Sequence, residues 1–173
     1  MIFEAIRATA ALADAWGQIN SVSWQKGYEG IIPADYLDAY TPEKRAQAFR
    51  EKLLTDLKAR FLFKVDGCLA GLAILDKACD EDTAETDGEL LAFYFLPEYW
   101  GTPATHTAFE FCMNWLKEQG FSRAKIWTFE KNLRARKFYE KYGFFLDGAE
   151  ELVDLGWNLP LSGLRYSKVF LEE

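Results

Sequence analysis

A strand that ends in a glycine turn and opens a helix can bind an anion. Residues Pro97-Glu98-Tyr99-Trp100-Gly101-Thr102-Pro103-Ala104 have that form. The apolar run Leu90 to Leu96 leads in, and a helical pattern leads out from Thr102. The first N–H groups of a helix lack internal partners, and its N-terminus carries partial positive charge. Together they suit a pyrophosphate. The same turn also reads as a plain helix cap. Downstream, Arg123, Lys125, Lys131, Arg134, Arg136, Lys137 and Lys141 are opposed only by Glu130 and Glu140. In a chain of formal charge −7 that is a basic island, or else a solvated helix face.

Other reactive residue types form no such pattern. His106, the single histidine, sits just after the turn and reads as a surface residue. Cys68, Cys79 and Cys112 are odd in number and unrelated in spacing, so reduced thiols in a cytoplasmic protein are expected. No His/Cys pair has metal-ligand spacing, and no Gly-x-Ser-x-Gly elbow occurs. The run Asp80, Glu81, Asp82, Glu85, Asp87 could attract a polycation, but a solvated loop is the plainer expectation. The acidic balance argues against nucleic acid. No apolar run is long enough to cross a bilayer, and the N-terminus lacks the pattern of a signal peptide.

The elements that must position these residues alternate. Leu12, Trp16 and Ile19 give helical spacing over Thr9 to Trp24. A turn-like stretch, Gly27 to Asp35, follows. Thr41-Pro42 opens a second helix that runs to about Ala59. Phe61–Val65 and Cys68–Leu75, joined by Asp66-Gly67, predict a hairpin. Leu90 to Leu96 predicts a buried central strand. Then come a helix over Thr102 to Glu118, a strand over Ala124 to Phe129, and a helix over Asn132 to Lys141 that stops at Gly143. Strands near Phe144 to Leu146 and Leu164 to Leu171 close the chain. At 173 residues without repeats or linkers, a single domain over residues 1–173 is expected.

The segment Asn132-Leu133-Arg134-Ala135-Arg136-Lys137-Phe138-Tyr139-Glu140-Lys141-Tyr142-Gly143-Phe144 resembles the GNAT acetyltransferase superfamily, in which Asn, Ala, a Phe-Tyr pair and Gly-Phe recur at these spacings. Phe93 to Gly101 resembles that family's central strand and pyrophosphate loop, and Ser23 to Pro33 the first-helix region of one branch. The resemblance implies an α+β fold, three layers, with a mixed and mostly antiparallel sheet of six or seven strands flanked by about four helices. The strands before and after the Thr102 helix would be parallel. It implies transfer of an acetyl group from acetyl-CoA (coenzyme A) to a small-molecule or peptide amine, by direct attack in a ternary complex.

The implied site follows residue by residue. Backbone groups near Phe95 and Leu96 would pair with the pantetheine arm like an added strand. Trp100, Gly101, Thr102, Ala104 and Thr105 would hold the pyrophosphate, with the basic island near the phosphates. Asn132 would bond near the pantetheine, with Ala135 and Phe138 packed beside it. Tyr139 would protonate the leaving thiolate; a core aromatic is the alternative. Glu89 matches the general-base position of histone-modifying members, or is a solvated strand end. Trp16, Trp24 and Tyr28 lie where the family builds its acceptor cleft, though helix-packing aromatics are the plainer reading, and Glu29 in the acceptor-side turn is a second base candidate. The pattern sets no oligomeric state, and a homodimer is allowed.

The chain departs from the family's Arg/Gln-x-x-Gly-x-Gly/Ala loop. Glu98 stands at the Arg/Gln position and Pro103 at the second glycine. Proline removes one N–H donor. The hydroxyls of Thr102 and Thr105 are candidate replacements. These departures keep a second function open, a catalytically impaired acyl-CoA-binding or regulatory protein.

Overall fold

Asp66 and Gly67 both hold left-handed backbone, φ 49° and 84°. That conformation closes a two-residue hairpin loop between strands of right-handed twist. The computed structural model describes residues 1–156 and 160–170. Its seven strands follow the order β1-β2-β3-β4-β5-β7-β6 in a mixed, mostly antiparallel sheet with five α-helices. By its contacts the chain forms two units, Met1–Leu75 with Ala92–Asn114, and Asp76–Leu91 with Trp115–Glu173.

In the first unit β1 (Phe3–Arg7), β2 (Ala59–Val65) and β3 (Cys68–Lys77) pair antiparallel in sequence, the last two residues of β3 lying in the second unit. Helices α1 (Ala13–Gly27), α2 (Ala34–Asp38) and α3 (Pro42–Thr55) precede the hairpin. Trp16 of α1 stacks on Phe49 of α3 at 4.4 Å and packs with Ile19, Leu62 and Leu72 in one apolar cluster. The helices approach closely at Gly17, where a Cβ would lie 2.2 Å from the Pro42 carbonyl. Thr41 caps α3 by accepting from the Lys44 N–H, with Pro42 at the first position.

Strand β4 (Asp87–Phe95) and helix α4 (Pro103–Glu118) each run from one unit into the other. In the second unit the start of β4 pairs parallel with β5 (Arg123–Phe129) through Asp87↔Arg123, Gly88↔Ala124 and Glu89↔Lys125. Among the described residues that ladder stops there. β5 keeps its antiparallel partner β7 (Pro160–Val169) along its whole length. β6 (Phe145–Asp154) pairs with β7, its register shifting between Leu146 and Glu150. Helix α5 (Leu133–Lys141) follows β5.

The expected parallel pairing across the Thr102 helix is present. Several boundaries differ. Ala59 starts β2 rather than ending α3, because Asp56 turns the chain out of the helix in extended conformation. α1 extends beyond Trp24 to Gly27. β1 and α2, five residues each, were too short for periodicity to reveal. Leu171, the expected end of the last strand, lies outside the described residues.

The acidic run Asp80 to Glu85 lies in a largely exposed loop, as its composition suggests, but residues 80 and 82 also meet a buried cation. Buried Arg165 of β7 donates to Asp80 at 2.8 Å and to both oxygens of Asp82, one at 2.6 Å. Trp127 adds an indole N–H to Asp80 at 3.0 Å. A buried guanidinium needs such partners, and composition does not show which cation a loop will meet.

Candidate functional site

The cofactor-side candidates of the first unit gather where β4 ends. Phe95 is buried, and its ring stacks on Phe63 at 5.6 Å. Gly71 makes room for that ring, since a Cβ there would lie 2.7 Å from it. The Phe95 carbonyl accepts from Ser23 Oγ at 2.9 Å and from Trp100 Nε1 at 2.8 Å. Leu96 donates its N–H to Ala70 of β3 at 2.9 Å. Successive strand residues direct their backbone groups to opposite edges. Leu96 is therefore bound into the sheet, and the N–H of Phe95 lies on the other edge.

Beyond Leu96 the chain makes one short 3-10 turn, Pro97–Tyr99, and reaches Gly101 at φ 72°, a conformation that glycine adopts without strain. α4 starts at Pro103. Ala104 and Thr105 in its first turn are buried. Thr102 donates its hydroxyl proton to the Tyr99 carbonyl at 2.7 Å, and Thr105 donates to the Thr102 carbonyl at 2.9 Å. Each hydroxyl has one proton. In this arrangement both hydroxyl protons are engaged, and the donors left to an anion are backbone N–H groups of the first turn.

The acceptor-side candidates also lie in this unit, in a cluster of rings. Trp24 stacks on Tyr40 at 4.4 Å, meets Tyr28 edge-on at 4.7 Å and donates its indole N–H to Tyr94 Oη at 3.0 Å. The Arg45 guanidinium lies 4.1 Å from the centre of the Tyr40 ring. Burial, and then the neighbouring Tyr94 phenol, pushes Tyr40 up to about 12. Burial likewise raises Tyr94. Both phenols stay protonated at neutral pH and serve as neutral hydrogen-bonding groups. Glu29 is exposed and pairs with Lys26 at 3.7 Å. Ser23, Tyr40 and Tyr94 were not singled out from the sequence as site residues, although Ser23 and Tyr94 fall inside the matching segments.

The second unit holds Glu89, Asn132, Ala135, Phe138 and Tyr139. Glu89 is buried at 9% exposure, opposite Lys125 in the parallel ladder, and is not a solvated strand end. Lys125, also buried, donates to Asp147 at 2.9 Å. Burial works against the Asp147 carboxylate, but hydrogen bonds from Ser167, Lys125 and Arg165 outweigh it and hold its pKa well below the usual range.

Asn132 Oδ1 caps α5 by accepting from the Ala135 N–H at 3.2 Å. Phe138 is half-buried, with Tyr142 at 5.0 Å. The far end of α5 closes as a Schellman motif. Phe144 N–H returns to the Tyr139 carbonyl at 3.1 Å and Gly143 N–H to Glu140 at 3.0 Å, with Gly143 at φ 78°. The accompanying apolar contact is Tyr139 with Phe144, ring centroids 6.3 Å apart. Asn132 and Gly143 thus fix both ends of the helix that carries Tyr139. Tyr139 is buried, 6.2 Å from the Tyr166 ring. Among the described residues no group of His, Cys, Asp and Glu could hold a metal ion, and no helix is long and apolar enough to cross a membrane.

Residues 22–144 match the profile of the Acetyltransferase (GNAT) family. An uncharacterized N-acetyltransferase of Mycobacterium tuberculosis is 31% identical over 115 residues, 66% of this chain and 69% of that one. Another, YuaI of Bacillus subtilis, is 29% identical over 126 residues, 72% and 70% of the two chains. The fold is similar to that of the PaiA N-acetyltransferase of Thermoplasma acidophilum in complex with coenzyme A. The TM-score is 0.74 at 20% identity, covering 98% of this chain and all of that one. It is also similar to YncA of Salmonella typhimurium, a putative acetyltransferase with its cofactor acetyl-CoA, with a TM-score of 0.68 at 14% identity over 99% and 95% of the chains.

Proposed function

The chain belongs to the GNAT acetyltransferase family, and we propose that it transfers an acetyl group from acetyl-CoA to a primary amine by direct attack in a ternary complex. The observation that carries the proposal is the mounting of Tyr139: a buried phenol on a short helix, with an asparagine cap at one end and a Schellman glycine at the other. A helix so fixed at both ends suits a group that must meet a reacting atom.

Among the described residues the parallel ladder ends at Glu89, and backbone groups of β4 beyond it would take the pantetheine arm. The N–H of Phe95 is one such group. In the first unit the N–H groups of Gly101, Ala104 and Thr105 would hold the pyrophosphate; in the second, Asn132, Ala135 and Phe138 would contact the pantetheine. The acceptor nitrogen attacks the thioester carbonyl carbon. A C–N bond forms, the C–S bond breaks, and the sulfur takes the proton of the Tyr139 hydroxyl. The nitrogen gives up its own proton to Glu89, directly or through water. Solvent exchange then restores both groups.

Trp24, Tyr28, Tyr36 and Tyr40 form the acceptor side, with exposed Glu29 at its rim to draw a cationic amine. A second reading, an acyl-CoA-binding protein without turnover, is favoured by one specific feature: Pro103 lacks an N–H and the two threonine hydroxyls are engaged. Release of free thiol from acetyl-CoA against a panel of amines, run beside a binding titration, separates the two. Turnover with any amine supports transfer, and tight binding with no thiol release supports the binder.

A further inference from the structure

We propose that Tyr166 is a positioning residue for Tyr139, its hydroxyl fixing the rotation of α5. This deepens the transfer reaction proposed above and rests on it. Tyr166 of β7 is wholly buried, and its hydroxyl takes part in two hydrogen bonds to one helix. It accepts from Arg136 Nε at 3.0 Å and donates to Glu140 Oε1 at 2.7 Å. Arg136 and Glu140 stand one helical turn apart, and Tyr139 lies between them in sequence. The hydroxyl therefore brackets the proposed proton donor on its own helix.

The surroundings make the bracket rigid. Arg136 Nη1 reaches on to the Glu130 carbonyl at 3.0 Å, beyond the helix N-terminus. Lys168, two residues along β7 from Tyr166, donates to the Tyr142 carbonyl at the C-terminal cap at 2.6 Å. One strand thus holds the helix at its middle and its end. Burial and the Glu140 bond raise the Tyr166 pKa against the opposing Arg136, so the phenol keeps the proton it donates. A phenylalanine would fill the same volume, so the hydroxyl is there to hold something. Holding matters because a misplacement of about 1 Å in a reacting group costs on the order of 10²-fold in rate.

The test is a double-mutant cycle on thiol release and acetyl-CoA binding with Tyr166→Phe, Tyr139→Phe and the pair. Tyr166→Phe lowers kcat about 10- to 100-fold and leaves the Kd for acetyl-CoA unchanged. Added to Tyr139→Phe it costs less than twofold more, because it acts only through that hydroxyl. Should Tyr166→Phe fail to fold, Glu140→Ala, at an exposed position, removes one arm of the bracket and lowers kcat. Glu140→Gln, which keeps an acceptor, restores it. Wild-type kcat in Tyr166→Phe, or an equal loss in both backgrounds, overturns the inference while leaving Tyr139 as donor. Wild-type kcat in Tyr139→Phe overturns donor and positioner together.

Discussion

Trp100 donates its indole N–H to the Phe95 carbonyl oxygen at 2.8 Å, and Ser23 of α1 donates to the same oxygen at 2.9 Å. A carbonyl oxygen has two lone pairs. Both are engaged inside the first unit, at the strand end where the cofactor arm is proposed to pair. Trp100→Phe keeps a ring and removes the donor. It is expected to tighten acetyl-CoA binding up to about tenfold, the worth of one ordinary hydrogen bond. Titration calorimetry measures it. Unchanged or weaker binding means that the arm does not use this oxygen.

Pro103 is exposed at the first position of α4. Pro103→Gly adds one N–H at the helix N-terminus without disturbing the core. A hydrogen bond to a charged group is worth about 1.5–3 kcal/mol, partly offset by the looser glycine backbone. Coenzyme A should bind up to tens of times more tightly. Glu98→Gln, at an exposed position in the preceding turn, should add a smaller gain that fades at high salt. Unchanged affinity in both variants would take the phosphates off this turn.

Asp147 sets a pH dependence of stability. Its carboxylate accepts from Lys125, Arg165 and Ser167, and its pKa is depressed in the folded state. A group with a depressed folded pKa contributes stability that is fully present above its unfolded value, about 4, and lost as pH falls toward the folded value. Asp147→Asn should cost on the order of 3 kcal/mol at pH 7, since it takes the carboxylate partner from buried Lys125 and one of three from buried Arg165. The gap to wild type should begin to narrow below about pH 4 and close only as pH falls toward the depressed folded value. Urea unfolding across pH measures it, and a gap that stays constant with pH would count against the network.

Residues 89–144 were the most legible part of the fold, for physical reasons. Leu90–Leu96 is almost wholly apolar, Gly101 and Gly143 stand where the backbone turns left-handed, and Asn132 caps the helix it precedes. These are local rules, and the sequence carries them locally. Tyr166 and Arg165 were not singled out, because their partners lie 18 to 85 residues away. Ser23 was legible only as part of a matching segment, since its acceptor is a backbone carbonyl 72 residues on. The partners of the threonine hydroxyls were not legible, because their protons go to nearby carbonyls, a choice of rotamer that composition does not record.

Tyr139→Phe tests the central claim most directly. The variant keeps the ring that packs against Phe144 and Tyr166 and loses the hydroxyl. Thiol release should fall by about 10²–10⁴, the usual worth of a general acid, while calorimetry shows the acetyl-CoA Kd unchanged. A variant that releases thiol at the wild-type rate would make Tyr139 a core aromatic and contradict the mechanism.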